Sequence, residues 1–204
     1  MIGIVDYGSG NIYAIANLHK RANIPFFISQ NPKELLKADK LILPGVGAFD
    51  ETMKMLNKNG LKEFLNERVL NYKTPIIGVC VGMQILGNNS EEGVEEGFGW
   101  ISGSVKKIDT ALLKEKPHIP HLGWNSVSIK KETGLFSEIN TDRGFYFLHS
   151  YYFDCEKNQD ITATTQYGRE FACGINHENV FGVQFHPEKS HGNGIQLFKN
   201  FANI

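Results

Sequence analysis

The sequence predicts an α/β protein with a central, mostly parallel sheet, helices on both faces and an antiparallel extension. In the N-terminal half, short apolar runs alternate with helical patterns, which is typical of parallel strands covered on both sides. From Gly103 to Val183, strand patterns follow one another closely with few helices, which predicts the antiparallel part. The 204 residues suffice for one core, so we expect a single domain over residues 1–204.

Composition argues against several functional classes. With 21 basic and 22 acidic residues, the chain has a formal net charge of −1, and no basic excess indicates nucleic acid or anionic lipid. No apolar run approaches the roughly 20 residues of a membrane-spanning helix. The first residues, Met1–Tyr7, form a strand pattern rather than a signal peptide. The three cysteines are a poor disulfide framework, so we expect a reducing, cytoplasmic location.

The first half contains four predicted strands, each a short apolar run. They cover Ile2–Asp6, Phe26–Ile28, Leu41–Leu43 and Ile76–Val79. Helical patterns lie between them, with apolar residues on one face or capping residues at the start. The predicted helices cover Asn11–Arg21, a short segment opened by Asn31 and Pro32, a segment from the capping residue Asp50 to Leu56, and Leu61–Leu70.

The second half contains predicted strands in close succession. They cover Ser104–Ile108, Ser126–Ile129, Phe145–Leu148, Ile161–Tyr167, Phe171–Ile175 and Val180–Phe185. The acidic, glycine-containing stretch Asn88–Gly97 before them is predicted to be a surface loop. The chain ends with a predicted helix over Asn193–Ala202, because Ile195, Phe198 and Ala202 share one helical face.

The most informative segment covers residues 76–84, where an apolar strand meets a cysteine flanked by two glycines and a helix begins at once. Gly78 and Gly82 remove side chains that would clash in so tight a turn. A thiol here faces the start of a helix, whose partial positive charge favours the thiolate. The N–H group of Val81 points into the same space and can stabilise an oxyanion. The pattern therefore predicts Cys80 as a nucleophile, against the alternative of an inert cysteine among packing glycines.

A second fragment, His186-Pro187-Glu188, follows the predicted strand that ends at Phe185. In a parallel sheet, functional sites assemble at the carboxyl ends of the strands. His186 can there accept the thiol proton of Cys80, and Glu188 can hold the second imidazole nitrogen and fix its tautomer. The two fragments together predict a Cys-His-Glu catalytic triad.

Two further patterns are weak. Gly8-x-Gly10 after the first strand lacks the third glycine of a dinucleotide-binding loop, since Tyr13 stands in its place. His118 and His121 are three residues apart, but the sequence around them offers no cysteine or carboxylate cluster to complete a metal site. We therefore expect neither a cofactor nor a metal ion.

Together these motifs resemble the class I glutamine amidotransferases, and the resemblance runs from residue 1 to the C-terminus. The elbow and the His-Pro-Glu fragment are similar to the catalytic triad of that family. Most members carry a Pro-Gly-Gly turn where this chain has Pro44-Gly45-Val46-Gly47-Ala48-Phe49. This variant resembles one branch, the glutaminase subunits of imidazole glycerol phosphate synthase. Four further segments resemble the same branch, namely Asp6–Asn11, Gly123–Asn125, Phe147–Tyr151 and Pro187–Ser190.

The resemblance implies an activity and a set of site residues. The reaction would be hydrolysis of the glutamine side-chain amide to glutamate and ammonia, through a thioester on the cysteine, with the triad in its usual roles. The resemblance implies an oxyanion site at Val81, Val46 and Gly47. It also implies a glutamine pocket lined by Gly47, Gln84, His149, Ser150 and Tyr151.

The resemblance further implies a heterodimer with a HisF-type (β/α)₈ barrel synthase subunit. That partner would use the ammonia to form imidazole glycerol phosphate in histidine biosynthesis. The positions of this chain that match the family's interface with the barrel are Asn11, Trp124, Tyr146 and Lys189.

Two alternatives stay open. The run Lys189-Ser190-His191 and the residues after it depart from many histidine-pathway sequences, which gives weight to a paralogous glutaminase. Such a glutaminase would serve a HisF-like partner that amidates a sugar for bacterial surface polysaccharide. The other alternative is a non-catalytic regulatory subunit of the same fold, although degenerate members of that kind would lose the cysteine or the histidine.

Overall fold

The structure is a computed structural model that describes residues 1–113, 118–131 and 134–204. Among these residues, 11 strands form one sheet and two more form a small second sheet. The strands of the first half pair in parallel, and most strands of the second half pair antiparallel, which confirms the predicted fold class. In the described part of the chain, no helix is long and apolar enough to cross a membrane.

The first half builds the parallel part of the sheet. Its strands are β1 (Ile2–Val5), β2 (Phe26–Ser29), β3 (Lys40–Leu43) and β4 (Ile76–Val79). The connecting helices are α1 (Ile12–Arg21), α2 (Pro32–Leu35), α3 (Phe49–Lys58) and α4 (Leu61–Asn66), the last extended by a π-helical turn over Glu67–Asn71. These strands and helices lie where the sequence predicts them, to within about two residues at most ends.

The second half supplies the remaining strands and the last helix. A one-turn helix, α5 (Val81–Gln84), follows β4, and α6 (His191–Asn203) closes the chain. The strands are β5 (Asn89–Ser90), β6 (Gly103–Lys107), β7 (His121–Asn125), β8 (Ser128–Ile129), β9 (Phe145–His149), β10 (Tyr151–Cys155), β11 (Ile161–Tyr167), β12 (Arg169–His177) and β13 (Val180–Val183). Short 3-10 turns cover Thr110–Leu112, Gly134–Phe136, Asn158–Asp160 and Pro187–Lys189.

The order of strands brings two distant parts of the chain together. The large sheet runs β2-β1-β3-β4-β13-β12-β10-β6-β5, with β11 beside β12, and β7 pairs with β9 in the second sheet. β13 runs parallel to β4, with Val183 opposite Val79. Because neighbouring parallel strands end at the same edge, the residues that follow β4 and β13 leave the sheet side by side.

Apolar side chains cover both faces of the parallel strands. Ile4 and Ile42 point to the face that α1 and α6 cover, whereas Leu41 and Leu43 point to the face that α3 and α4 cover. All four side chains are fully buried. Burial of each such side chain stabilises the fold by roughly 1.5–3 kcal/mol. This packing on both sides explains why the strands are continuous apolar runs in the sequence.

Asp50 has a different role from the predicted helix cap. The helix α3 begins one residue earlier, at Phe49, and Ala48 occupies the cap position. The carboxylate of Asp50 instead accepts hydrogen bonds from the N–H groups of Val94 and Glu95, at 3.0–3.1 Å. Asp50 therefore fastens the segment after β5 to the start of α3.

Three further predictions for the second half were incomplete. The stretch 88–97 is not only a loop, because β5 pairs in parallel with β6. The strands β7 and β10 were not predicted. The buried apolar face of α6 is formed by Leu197, Phe198 and Phe201, while the predicted Ile195 and Ala202 are only half-buried. The apolar face of α6 is thus shifted by one or two residues from the predicted one. It still packs, because α6 lies between the sheet and the 3-10 turn at Gly134–Phe136.

Candidate active site

Cys80 lies at the sharp turn between β4 and α5, where the sequence places it. Its N–H group donates to the carbonyl oxygen of Val183 at 2.8 Å, so the turn is held to the end of β13. The φ angle of Cys80 is +56°, a region that residues other than glycine rarely occupy. Since α5 has a single turn, the positive potential here comes from the free first N–H groups, those of Val81 and Gly82, rather than from a long helix dipole.

Close backbone contacts require the glycines of this turn. A Cβ atom on Gly78 would lie 2.3 Å from the carbonyl oxygen of Gly82, and one on Gly82 would lie 2.1 Å from that of Leu43. Gly45 is restricted in the same way, because its Cβ would lie 2.4 Å from the nitrogen of Gly82. The turn and the loop after β3 therefore touch backbone to backbone, which brings that loop beside Cys80.

His186 follows β13 and is fixed to a second element, β9. Its N–H group donates to the carbonyl oxygen of Tyr146 at 2.8 Å. The hydroxyl of Ser190 donates to the carbonyl oxygen of His186 at 2.6 Å and accepts from the N–H group of Tyr146 at 3.0 Å. Imidazole Nδ1 donates to Oε1 of Glu188 at 2.7 Å, so Nε2 is the nitrogen left for Cys80. Both side chains are buried, with exposed fractions of 2% and 1%.

The electrostatics of the pair favour an imidazolium beside a carboxylate. Burial alone lowers the pKa of His186, but its interactions with Cys80 and Glu188 outweigh burial and raise that pKa to about 10. Burial alone raises the pKa of Glu188, and the hydrogen bonds from His186 and Asn11, together with the charge of His186, lower it below its usual range.

Asn11 contacts this pair directly. Its amide nitrogen donates to Oε1 of Glu188 at 2.7 Å, the same oxygen that accepts from His186. The other oxygen of Glu188 is buried without a hydrogen-bond partner among the described residues. Asn11 was predicted to lie near a partner, and that role stays a prediction; in the structure its side chain donates to the carboxylate of Glu188.

The loop after β3 is anchored at two carbonyl groups. The hydroxyl of Tyr7 donates to the carbonyl oxygen of Pro44 at 2.7 Å, and the hydroxyl of Ser9 donates to that of Val46 at 2.8 Å. Gly47 has a φ angle of +101°, which only glycine adopts readily. The orientation of the peptide between Val46 and Gly47, and so the direction of the Gly47 N–H group, is thereby set by Ser9.

These elements enclose a small cavity with a volume of about 140 Å³. It is smaller than the roughly 300–1,000 Å³ of pockets for drug-sized ligands, which suits a single small metabolite. The predicted site residues that line it are Val46, Gly47, Cys80, Val81, Gln84, His149, Tyr151 and His186. Ser150 is not among the lining residues, and its carbonyl oxygen accepts from the N–H group of Ile108.

Sequence reasoning missed three residues at the cavity. Glu92 and Leu148 line it, and Gln184 donates from its amide nitrogen to the sulfur of Cys80 at 3.7 Å. Glu92 was not predicted because it lies in the stretch predicted to be a surface loop. In the structure, its carboxylate accepts a hydrogen bond from the N–H group of Phe49 at 2.9 Å. Gln184 did offer a signal, since a polar residue inside an otherwise apolar predicted strand needs a buried partner.

Three of the predicted interface residues lie together at the protein surface. Trp124 is 48% exposed and meets the ring of Tyr146 edge to face, with ring centroids 6.4 Å apart. The ammonium group of Lys189 lies 5.3 Å from the centre of the Tyr146 ring. His191 stacks on Trp124, with the rings 7° from parallel and 5.4 Å apart. The sequence did not single out His191 for this contact.

A larger cleft, about 390 Å³, opens between β10 and β12 and contains Cys155. Burial raises the pKa of this thiol, and no histidine is among the residues that line the cleft. The smaller cavity at Cys80, which a histidine also lines, is therefore the better candidate for nucleophilic chemistry, although the other cleft is larger.

Comparison with known proteins agrees with this geometry. The sequence profile of the family described as glutamine amidotransferase class-I matches residues 3–204. A solved structure of a glutamine amidotransferase superposes with a TM-score of 0.74 at 17% identity, covering 100% of this chain and 99% of the other. The chain belongs to the class I glutamine amidotransferases.

Closer relatives define the branch. The chain is 50% identical to the imidazole glycerol phosphate synthase subunit HisH of Bdellovibrio bacteriovorus, over 204 residues and 100% of both chains. It is 48% identical to the protein of the same name from Leptospira borgpetersenii, again over 100% of both chains. Within its class, the chain is a member of the HisH family.

Proposed function

We propose that this chain is the glutaminase subunit of an imidazole glycerol phosphate synthase and acts as one domain in histidine biosynthesis. It would hydrolyse glutamine to glutamate and ammonia and pass the ammonia to a HisF-type (β/α)₈ barrel subunit. The observation that carries the proposal is that Cys80 and His186 line one small cavity, with Glu188 hydrogen-bonded to His186, in a member of the HisH family.

In the proposed mechanism, the thiolate of Cys80 attacks the side-chain amide carbon of glutamine. A carbon–sulfur bond forms, and the carbonyl electrons move to oxygen. His186 then gives its Nε2 proton to the departing nitrogen, the carbon–nitrogen bond breaks, and ammonia leaves a thioester. His186 next takes a proton from water, which attacks the thioester and releases glutamate and the thiolate. Glu188 keeps the imidazole in one tautomer and orientation throughout.

The cavity also offers groups for charge recognition. We assign the N–H groups of Val81 and Gly47 to the oxyanion, because both belong to the backbone segments that line the cavity beside Cys80. The carboxylate of Glu92 on the wall suits the ammonium group of glutamine. Both donors of Gln84 are used inside the protein, so only its carbonyl oxygen is left to face a ligand.

A surface beside the cavity suits a protein partner. Leu122 and Trp124 lie two residues apart on β7 and so on the same face, and they are 61% and 48% exposed. Exposed apolar residues next to the cation of Lys189 are typical of a protein interface. We propose that the barrel subunit docks here, close to the point where ammonia is released.

Glutamate release tests the catalytic part of the proposal. Wild type and Cys80→Ala are compared with and without a HisF-type partner, and Cys155→Ala serves as a control at a cysteine outside the cavity. We expect activity in wild type and in Cys155→Ala, and its loss in Cys80→Ala. Equal glutamate release by wild type and Cys80→Ala would refute the catalytic assignment and favour the regulatory subunit instead.

The identity of the partner needs a separate experiment. The stack of His191 on Trp124 adds an aromatic group to the proposed interface, in the run that departs from many histidine-pathway sequences. The second candidate, a glutaminase for a sugar-amidating HisF-like partner, is supported by the departure of this run from many histidine-pathway sequences. Activation by a histidine-pathway barrel with formation of imidazole glycerol phosphate supports the first function. Activation only by a sugar-amidating partner would replace it with the second.

A further inference from the structure

A buried chain of hydrogen bonds leads away from the sulfur of Cys80 through side chains outside the triad. The amide nitrogen of Gln184 donates to Sγ at 3.7 Å. The amide oxygen of Gln184 accepts from Nε2 of Gln84 at 3.0 Å, and the same nitrogen donates to the carbonyl oxygen of Tyr151 at 3.0 Å. Gln184 is fully buried and Gln84 is 4% exposed. Both amide side chains are therefore largely withdrawn from solvent.

The path continues through two histidines whose tautomers follow from the geometry. The carbonyl oxygen of Tyr151 also meets Nδ1 of His149 at 2.7 Å, and since a carbonyl only accepts, Nδ1 carries the hydrogen. Nε2 of His149 is then an acceptor, and Nδ1 of His121 donates to it at 2.9 Å. Nε2 of His121 in turn accepts from the amide nitrogen of Asn125 at 3.1 Å. Both rings are thus neutral and fully paired.

Packing and burial hold the histidine pair in this state. The ring of His121 is sandwiched between Phe147 and Tyr167, with centroids 4.6 Å and 4.1 Å away and planes about 20° from parallel. Burial lowers the pKa of His121 to about 4, and burial together with neighbouring His121 lowers that of His149 to about 3. His149 has no ring nitrogen left for a ligand, so its ring contributes to the cavity wall by shape alone.

The far end of the path reaches the proposed docking surface. His121 and Asn125 lie on β7, on either side of the exposed Trp124. β7 pairs with β9, which carries His149 and ends at the cavity. One network therefore joins the nucleophile, the wall of the cavity and the strand that would contact a partner.

We propose that Gln184 and His121 are positioning residues for the glutaminase reaction. Gln184 orients the sulfur of Cys80 and stabilises its thiolate form with an amide donor. His121 holds the wall at His149 in the shape that glutamine binds. Because both act through one network, a shift of β7 on partner docking reaches the sulfur as well as the pocket. The proposal rests on the proposed glutaminase function for its kinetic readouts only.

The contribution of Gln184 is distinct from that of the triad. The titratable groups that face Cys80 from the elements around it are His186, His149, Glu92, Tyr151 and Tyr7. Of these, His186 supplies the opposite charge, whereas Gln184 supplies a neutral donor that ionises at no accessible pH. Loss of the donor therefore changes how easily the thiolate forms without removing the base.

The first experiment replaces Gln184 by Met, which has a similar length but no donor. The pH dependence of Cys80 alkylation by iodoacetamide is measured, because it reports thiolate formation without turnover. We expect the alkylation profile to move to higher pH and kcat for glutamate release to fall about tenfold or more, as for loss of a hydrogen bond to a charged group. Gln166→Met, at an exposed glutamine on β11, is the matched control. If the Met variant does not fold, Gln184→Asn, which is smaller and cannot span the same distance, replaces it.

The second experiment separates the two ends of the network. His121→Phe keeps a flat ring between Phe147 and Tyr167 but removes both nitrogens, whereas His121→Asn keeps an N–H donor in place of Nδ1. We expect KM for glutamine to rise roughly fivefold to tenfold in the Phe variant, with kcat changed less, and to return towards wild type in the Asn variant.

The outcomes decide the proposal. A Gln184→Met protein with the alkylation profile and kcat of wild type would overturn the role of Gln184. An unchanged KM in His121→Phe, or an equal rise in both His121 variants, would overturn the role of His121. Since alkylation needs no turnover, a chain without glutaminase activity would still give a result for Gln184, so failure of the proposed function is distinguishable from failure of this inference.

Discussion

Replacement of Asn11 tests whether the buried carboxylate of Glu188 is held by two donors. In the structure, one oxygen of Glu188 accepts from both His186 and Asn11, each at 2.7 Å, and the other oxygen has no partner among the described residues. Asn11→Ala removes one of the two donors and adds no charge. The carboxylate stays buried, because its side chain is only 1% exposed.

The expected size of the effect follows from the charge of the acceptor. A hydrogen bond to a charged group contributes roughly 1.5–3 kcal/mol, and about 1.36 kcal/mol corresponds to one pKa unit or a tenfold change in rate. Loss of the Asn11 donor should therefore raise the pKa of Glu188 by about one to two units. If the whole interaction acts in the transition state, kcat/KM would fall roughly 10- to 150-fold.

The sign of the pH dependence is fixed by the direction of the shift. The pKa of Glu188 is lowered in the folded protein, so its contribution to stability is present above the pKa of the unfolded chain and is lost as the pH falls through the folded value. In Asn11→Ala the folded pKa lies higher. The acid limb of the pH–rate profile and the onset of acid unfolding should both move to higher pH.

The assay is glutamate release as a function of pH, with thermal unfolding followed in the same buffers. Asn17→Ala is the matched control, since Asn17 is an exposed asparagine on the same helix. Measurements without a partner exclude effects of docking. A kcat/KM within twofold of wild type and an unchanged acid limb in Asn11→Ala would refute the argument that Asn11 positions the triad through Glu188.

Other predictions concern the loop, the turn and the buried imidazoles. Gly47→Ala has open space for its methyl group but a φ angle of +101°, so we expect a loss of stability of about 1–2 kcal/mol and a larger loss of kcat, measured by thermal unfolding and glutamate release. Gly82→Ala would place Cβ 2.1 Å from the carbonyl oxygen of Leu43, so the protein should fail to fold or unfold far below the wild-type temperature; a wild-type melting temperature would contradict the packing argument. The pKa values of His121 and His149 are lowered in the folded state, so both rings stabilise the fold fully only above pH 6.5. The free energy of unfolding, measured by urea titration, should therefore fall as the pH drops towards 4. In His121→Phe it should depend less steeply on pH.

Local patterns in the sequence were sufficient for the elements that bury both faces. The strands β1, β3 and β4 are short apolar runs, and each was predicted because a strand buried on both faces is apolar at nearly every position. The N-cap at Asn31 was also correct, since its side chain accepts from the N–H group of Lys33 at 3.0 Å. Such signals are local and need no knowledge of the rest of the fold.

The missed features depend on contacts far apart in the chain. β5 has two residues and exists because β6 lies beside it, so no run of residues 88–97 can reveal it. Glu92 becomes part of the cavity only because Asp50, more than 40 residues earlier, fastens the following segment to α3. The inward direction of Asn11 was equally hidden, because its acceptor, Glu188, is 177 residues away.

The unusual backbone of Cys80 sets activity against stability. A residue with a side chain at φ +56° and ψ −114° is held in a conformation that costs of order 1–3 kcal/mol, a cost that glycine would largely avoid. A chain selected for stability alone would therefore carry glycine at this position and lose the thiol of the proposed nucleophile. Cysteine at this position lowers the free energy of unfolding. A mutation that stabilises the surrounding core raises that free energy and so offsets the cost of the strained turn.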